Sequence, residues 1–274
     1  MKQIALITPV PGTIETLIEN SILRKARLEE IVQFHIIDLR EFGKGNYRQI
    51  DDKPFGGGEG MVLMAEPLQQ AIEDAIQKVG GLDGTKIIYP SPSGKKWSQD
   101  FANECSQNNR FIFICGHYKG IDERIIDKYV THEYSIGDFV LTSGEIPAML
   151  MADSIVRLVP GVLNSIESAH SDTFPSGLLD HPHYTQPRAV DGMEVPDVLV
   201  SGHHAKIQKW KIEKREDRTK KYRPDLWEKY LKENPIKWGS DSLASDGDHR
   251  KRYIDALRMA DKGDYHLLIE FVSR

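Results

Sequence analysis

The stretch FIFICGHYKGIDER, residues 111–124, joins a run of apolar residues to a loop of small and polar ones. Phe111 to Cys115 are apolar at every position, which is typical of a parallel strand covered by helices on both faces. The same order recurs where KIIYP runs into SPSG (91–94) and where EYS runs into IGDFVLTSGE (136–145). Three strands that each end in such a loop predict an α/β fold with an open, mostly parallel sheet.

The same rhythm of strands and helices extends over about the first 160 residues, as expected for an α/β domain. IALIT near the N-terminus reads as another strand, and apolar residues have helical spacing from Ile14, over 68–79 and over 98–105. Thr142 and Glu145 have the spacing of a capping box, which predicts that a helix starts just after the third loop.

Two hydrophilic stretches predict how the chain is divided. Residues 162–173 lack a regular pattern and read as a flexible linker that follows an α/β domain at 1–161. Residues 174–238 are predicted to form a mainly helical domain. Residues 239–274 begin with GSDSLASDGD and read as a second linker and a tail, for which the sequence suggests no function.

Composition and charge exclude several classes of protein. The chain has 274 residues and a net charge of −5, yet Lys206 to Lys229 holds ten Lys or Arg against five acids. This local excess modestly favours contact with a nucleic acid backbone, although a solvated amphipathic helix has the same pattern. Cys105 and Cys115 are too few for a disulfide framework and lack zinc-site spacing, so both are expected to be buried thiols.

The N-terminal segment does not read as a membrane or export signal, because Pro9 and Pro11 interrupt it before an apolar core could form. No run of about 18 apolar residues occurs, so a cytoplasmic protein without membrane contact is expected. GKGNYR (43–48) lacks the third glycine of a dinucleotide fingerprint, and no GxxxxGK[ST] loop is present. NAD chemistry and P-loop phosphate hydrolysis are therefore disfavoured.

The three loops are the best candidates for a cofactor site, because ligands of open α/β sheets bind beyond the carboxyl ends of the strands. Taken alone, they could equally be ordinary connections between strands and helices. Their combination with five further motifs resembles the bacterial tRNA (guanine-N1)-methyltransferases, members of the knotted SPOUT class. The motifs keep the family's order over residues 1–238: DDKPFGGGEGM (51–61), YPSPSG (89–94), CGHYKGIDER (115–124), SIGDFVLTSGEIPAM (135–149), RLVPGVL (157–163), SDTF (171–174), GLLDHPHYTQP (177–187) and VPDVLVSGHHAKIQKW (195–210).

This resemblance implies a SPOUT fold with a deep trefoil knot around the cofactor loops, followed by a small helical domain. It also implies S-adenosyl-L-methionine (SAM) as the methyl donor, with magnesium as a further ion whose ligands cannot be named, and a homodimer with shared active sites. The cofactor contacts implied by the motifs are Tyr89, Ser91, Pro92, Gly116, Ile136, Gly137, Asp138, Phe139, Val140, Leu141 and Gly144.

Methylation of guanine at N1 needs a base for the N1 proton and a cation for the charge that spreads onto O6. Asp172 matches the family's catalytic aspartate, and such general-base help contributes roughly 10²–10⁴ in rate. Arg157 would offset the charge on O6. Because Asp172 lies in the predicted linker, RNA binding is expected to order this segment and deliver the base. On spacing alone, Asp172 would read as a solvated loop carboxylate.

A further set of side chains is predicted to contact tRNA. Asp51 is a candidate for reading the donor edge of the target guanine or its 5′ neighbour, although a turn-forming Asp fits the pattern equally well. A zinc site at Asp180, His181, His183, His203 and His204 is disfavoured because the spacing matches no familiar site, so no metal ligand is predicted. The predicted tRNA contacts are Asp51, Glu59, Ser168, His183, Tyr184, Arg188, Lys209, Lys214 and Arg215.

The resulting functional hypothesis is an enzyme that forms 1-methylguanosine at G37 of tRNAs with G36. The alternatives are a SPOUT methyltransferase that modifies another RNA position and a catalytically silent RNA-binding protein.

Three departures from the family pattern affect affinity and target preference more than reaction class. PVPGTIETL stands where the family has FPEMF, Lys119 where it commonly has glutamate, and Ser143 where it commonly has glycine.

Overall fold

The computed structural model describes residues 1–163, 173–174, 176–234 and 247–267. The chain forms two compact units, Met1–Ser171 (unit 1) and Asp172–Arg274 (unit 2). The predicted linker 162–173 falls almost entirely outside the described residues.

Unit 1 alternates strands and helices along the chain. Its strands are β1 (Lys2–Thr8), β2 (Val32–Asp38), β3 (Asp51–Asp52), β4 (Val62–Leu63), β5 (Thr85–Lys96), β6 (Arg110–Ile114) and β7 (His132–Ser135). Its helices are α1 (Pro11–Ile18), α2 (Ser21–Leu28), α3 (Ala65–Val79), α4 (Gln99–Ser106), α5 (Glu123–Tyr129) and α6 (Glu145–Val156), with a 3-10 turn at Leu39–Phe42.

The central sheet has the strand order β2-β1-β6-β5-β7, and every pairing within it is parallel. The prediction of an α/β fold with a mostly parallel sheet is therefore confirmed. Parallel neighbours place all of their carboxyl ends at one edge of the sheet. The loops that follow β6 and β7 consequently emerge beside residues 91–94 of β5.

Alternate residues of the inner strands supply two cores, one on each face of the sheet. Ile4 and Leu6 of β1 pack with α1, α2, α4 and α6, whereas Ala5 and Ile7 pack with α3 and α5. Successive side chains of a strand point to opposite faces of the sheet, and here both faces are buried. Every position of an inner strand must therefore be apolar, which explains the uninterrupted apolar runs. Cys105 and Cys115 are free and buried, as predicted, and burial raises the pKa of both thiols.

Two local expectations were wrong. Helix α6 begins at Glu145 with Gly144 as its N-cap and no side-chain cap, so Thr142 and Glu145 do not form a capping box. The Glu145 carboxylate turns inward instead, where other side chains bind it.

Strand β5 does not end at Pro90 but continues to Lys96, with a shift in its register against β7 between Pro90 and Lys95. Residues 91–94 therefore bulge from a continuing strand.

Unit 2 is mainly helical in its described part. It contains a two-stranded ribbon of β8 (Ala189–Val190) and β9 (Met193–Glu194), then α7 (Asp197–Val200), α8 (His204–Tyr222), α9 (Pro224–Glu233) and α10 (Gly247–Ala260). The helical pattern predicted from His203 to Leu231 breaks at Arg223, because the residue before Pro224 is driven out of helical conformation. None of the described helices is long and apolar enough to cross a bilayer.

One fully buried hydroxyl connects α8 to the loop before it. Thr219 Oγ1 accepts from the Leu179 backbone N–H at 2.9 Å and donates to the Arg215 carbonyl at 2.7 Å. Arg215 donates to the Leu179 carbonyl and, at 2.6 Å, to Ser176 Oγ. The loop 176–179 is therefore bound to one turn of α8.

Replacing Thr219 by valine keeps the side-chain shape but leaves the buried Leu179 N–H without an acceptor. We expect Thr219→Val to lower the free energy of unfolding by about 1–3 kcal/mol, measured by urea denaturation. Thr185→Val, on an exposed residue of the same unit, is the matched control and should change stability little. Equal losses in the two variants would show that the Thr219 hydroxyl has no special role.

Candidate active site

Residues 89–92 of β5 and the loops after β6 and β7 enclose a cavity of about 300 Å³ at the carboxyl edge of the sheet. Its walls are mostly apolar, with small residues where these three segments approach one another. The lining residues are Tyr89, Pro90, Ser91, Pro92, Gly116, His117, Tyr118, Lys119, Gly120, Tyr134, Ser135, Ile136, Gly137, Phe139, Val140, Leu141, Thr142, Ser143, Gly144 and Pro147.

The floor of the cavity consists of two backbone segments in direct contact. The Gly144 N–H donates to the Gly116 carbonyl at 2.8 Å, and His117 pairs with Ser143 in an isolated antiparallel bridge. A Cβ at Gly144 would lie 2.5 Å from the Gly116 nitrogen, and one at Gly116 would lie 2.9 Å from the Tyr89 ring. Glycine is thus required at both positions for the floor to close.

The structure brings together ten of the eleven predicted cofactor contacts around this one cavity, and only Asp138 does not line it. Asp138 is exposed within the loop that supplies its neighbours. Tyr89 forms part of the wall, where burial raises the pKa of its phenol above the ordinary value of 10.0. The wall there is therefore neutral at physiological pH.

A buried carboxylate lies beneath the floor. Glu145 is completely buried, and its carboxylate accepts from Thr8 Oγ1 at 2.6 Å and from His117 Nε2 at 2.8 Å. Ser143 also donates to it. These contacts join the end of β1, the loop after β6 and the start of α6, so one side chain holds three segments of the site in place.

The pKa of Glu145 reflects two opposing effects. Burial raises it, but hydrogen bonds from His117, Thr8 and Ser143 together outweigh burial, so the pKa lies below the ordinary value of 4.5. The carboxylate is therefore charged at neutral pH and bound in that form. Sequence analysis missed this network, because Thr8, His117 and Glu145 lie far apart in the chain and no spacing joins them.

Residues 53–61 form a glycine-rich loop beside the cavity, called here the rim loop. Asp51 and Leu63 pair at its base in the β3-β4 ribbon. The Leu63 N–H donates to the Gly120 carbonyl, and the Lys119 N–H donates to the Met61 carbonyl, each at 3.0 Å. Asp51 therefore lies at the base of a loop attached to the cavity wall, and the predicted contact Glu59 is exposed on the loop itself.

Arg157, one of the two predicted catalytic residues, is not among the residues that line the cavity. Arg157 follows the last residue of α6, whereas the cavity adjoins the first turn of that helix. Twelve helical residues at 1.5 Å each separate the two ends of α6 by about 18 Å. Asp172 and the predicted tRNA contact Ser168 lie outside the described residues.

The remaining predicted tRNA contacts belong to unit 2. His183 and Tyr184 are exposed, and Tyr184 lies beside Trp210, with ring centroids 6.4 Å apart. Arg188 pairs with Asp197 at 2.7 Å, and Lys214 approaches Asp217 at 3.4 Å. Lys209 and Glu213 are 4.0 Å apart. Arg215 is engaged by Leu179 and Ser176, as described above, which gives it a role in holding unit 2 together.

Three potential metal ligands also come together in unit 2. Atoms of Asp180, His181 and His183 lie within 4.8 Å of one another, and His183 Nε2 contacts Asp180 Oδ2 at 2.8 Å. Burial raises the pKa of Asp180, but hydrogen bonds from His183 and the His181 N–H outweigh it, so the pKa is lowered. An internal hydrogen bond between His183 and Asp180 accounts for this arrangement without a metal ion.

Comparison with known proteins identifies relatives over most of the chain. The profile of the family described as tRNA (Guanine-1)-methyltransferase TrmD matches residues 1–229. A tRNA (guanine-N(1)-)-methyltransferase of Bacillus licheniformis is 45% identical over 240 residues, covering 87% of this chain and 98% of the relative. Proteins with the same description from Staphylococcus carnosus (46%; 83% and 91% covered) and Bacillus subtilis (44%; 85% and 94% covered) are similarly close.

The lowered pKa of Glu145 predicts how stability depends on pH. A carboxyl whose pKa is lower in the folded state stabilises the protein above its unfolded pKa, near 4.5, and this contribution is lost as pH falls through the folded pKa. We expect Glu145→Gln to be less stable than the wild type at pH 7, by urea denaturation, with the difference shrinking below about pH 4.5. A difference that stays constant from pH 7 to pH 3 would contradict this account.

Proposed function

The chain belongs to the tRNA (guanine-1)-methyltransferase family, and on this premise we propose that it methylates N1 of guanosine 37, beside the anticodon, in tRNAs with guanosine at position 36. The resemblance inferred from the eight motifs is thereby confirmed, and the chain is a tRNA-modifying enzyme. The observation that carries the proposal is the cavity enclosed by residues 89–92 of β5 and the loops after β6 and β7.

The residues of this cavity fit SAM, the methyl donor that the family implies. A volume of about 300 Å³ is at the lower end of the range for small-molecule sites, and apolar walls with a few polar groups are typical of them. Ile136, Phe139 and Leu141 offer apolar surface for the adenine ring. Ser91 and the glycine-lined floor leave hydroxyl and backbone groups accessible to polar atoms. When bound, SAM supplies a methyl group carried on a sulfonium.

The chain's own residues provide the acid-base and electrostatic parts of the reaction. Asp172 accepts the proton from guanine N1, so the electron pair on N1 becomes available for the methyl group. Arg157 donates hydrogen bonds to O6, where negative charge develops. The reaction thus moves one proton to Asp172 and forms one N–C bond, while the S–C bond of the methyl donor breaks and its electron pair stays on the sulfur, which leaves as a neutral thioether.

The position of Arg157 supports a homodimer with shared active sites. Arg157 lies ten residues, or about 15 Å along α6, from Pro147 in the cavity wall of its own chain, and a second copy would supply the Arg157 that completes the site. Ile146 and Leu150, one helical turn apart on α6, are 50% and 45% exposed, and Val140 is 88% exposed. This apolar surface beside the cavity fits a two-fold contact that places Arg157 of one protomer at the cavity of the other.

The other unit and the remaining family features complete the proposal. We assign SAM binding to residues 1–161 and tRNA binding to residues 174–238, in whose described part Tyr184 and Trp210 offer rings and α8 offers cations. The cofactor loops would lie in the trefoil knot that characterises the SPOUT class. Magnesium, which the family resemblance implies, would act as an assisting ion with no assigned ligand.

The direct test incubates the protein with SAM and unmodified tRNA that contains G36 and G37, and then maps the methylated base. We expect 1-methylguanosine at position 37 only. Asp172→Ala should lower the transfer rate at least about 100-fold while leaving SAM affinity, measured by calorimetry, nearly unchanged. Asp83→Ala, an exposed carboxylate in the loop before β5, is the control. Methylation elsewhere would overturn the assignment of G37, and full activity of Asp172→Ala would overturn the assigned base.

Shared active sites predict complementation between two inactive variants. Arg157→Ala loses the O6 contact, and Gly144→Ala places a Cβ 2.5 Å from the Gly116 nitrogen and blocks the cavity floor. A mixed dimer holds one site with an intact cavity and an intact Arg157. We therefore expect purified mixed dimers to have about half of the wild-type rate, although each variant alone is inactive. Folded mixed dimers without activity would exclude the shared arrangement.

A further inference from the structure

The rim loop carries a phenylalanine that no other part of the described chain covers. The side chain of Phe55 is fully exposed, more than the other exposed apolar residues of unit 1. Single exposed apolar residues are common on proteins and need no explanation by themselves. Phe55 differs because of where its loop is attached and which groups surround it.

The C-terminal end of the rim loop is bound to the wall of the cavity, and the strand before the loop pairs with the strand after it in the β3-β4 ribbon. Backbone hydrogen bonds join Leu63 to Gly120 and Lys119 to Met61, and Gly120 and Lys119 both line the cavity. A Cβ at Gly60 would lie 2.9 Å from Cγ of Lys119, so this side chain packs directly on the loop. The loop therefore holds Phe55 beside the cavity that takes the methyl donor.

The residues after Phe55 explain why its ring has no cover. Gly56, Gly57 and Gly58 have φ angles of +86°, +79° and +109°, which side chains other than glycine rarely adopt. No atom lies within 4 Å of the Cβ positions of these three residues. The sequence thus forms an open turn without side chains of its own that could pack on the ring.

The groups near Phe55 have the chemistry of a nucleotide site. Lys53 is exposed two residues before it, and the Lys119 side chain lies against Gly60 of the same loop. Asp52, just before this loop, and Glu59 on it are also exposed. An exposed ring with cations and carboxylates in its neighbourhood suits a nucleotide, because the ring stacks on a base, carboxylates accept hydrogen bonds from the edge of the base and cations attract its phosphates. A purely apolar protein partner would gain nothing from these charges.

We propose that Phe55 stacks on a tRNA base next to the target guanine, in the place that this guanine leaves when it turns out of the strand towards the methyl donor. This inference rests on the proposed function. An enzyme that acts on a base within a stacked strand must first take that base out, which leaves its neighbour without a stacking partner. The ring of Phe55 replaces the lost contact.

The test distinguishes an effect of the aromatic ring from an effect of any apolar side chain at position 55. Phe55→Leu keeps an apolar side chain without a ring, and Phe55→Tyr keeps the ring. We expect Phe55→Leu to raise both the KM for tRNA and the Kd for tRNA, measured with S-adenosylhomocysteine present, about ten-fold, and Phe55→Tyr to change them less than about two-fold. The affinity for SAM and the oligomeric state should be unchanged. Leu82→Ala, an exposed apolar residue before β5, is the surface control.

A second readout places the ring against the base. With 2-aminopurine at the position 3′ of the target, binding of wild-type protein and of Phe55→Tyr should change the fluorescence, and Phe55→Leu should change it much less. Equal tRNA affinity in all variants would overturn the inference. Dissociation of the dimer or weaker SAM binding in Phe55→Leu would also overturn it, by assigning the ring to another contact. If wild-type protein binds tRNA but transfers no methyl group, the proposed function fails, while the binding comparison still tests Phe55.

Discussion

The hydrogen bonds to the buried carboxylate of Glu145 are the interaction on which the site depends. An isolated charge is costly to bury, so Glu145 can lie beneath the cavity only while Thr8, His117 and Ser143 donate to it. Each donor belongs to a different segment around the floor. The same requirement that satisfies the charge therefore aligns β1, the loop after β6 and the start of α6, and it does so without any contribution from a ligand.

The sequence predicts the type of fold well because burial on both faces leaves a direct signal. Runs such as FIFIC can be stable in few settings other than the middle of a parallel sheet, and β6 lies there. The strand order could not be predicted, since it depends on which runs pair across long separations. The capping box at Thr142 and Glu145 failed for a related reason, because a local pattern cannot show that Glu145 has stronger partners elsewhere in the fold.

The candidate site was predictable where it follows from strand ends and unpredictable where it depends on tertiary contacts. Gly116 and Gly144 stand in loops that a parallel sheet brings together, so their meeting could be expected. By contrast, nothing in the sequence around His117 indicated that its hydrogen-bond partner is Glu145. Arg215 has contacts that its charge alone could not reveal, because its guanidinium holds the loop 176–179 to α8.

The touching backbones at Gly116 and Gly144 also limit how such a protein can change through evolution. A larger residue at either position disturbs the other segment, and at Gly116 it meets Tyr89 as well. A substitution in the floor therefore disturbs two segments at once, so the shape of the cavity cannot be adjusted there one residue at a time.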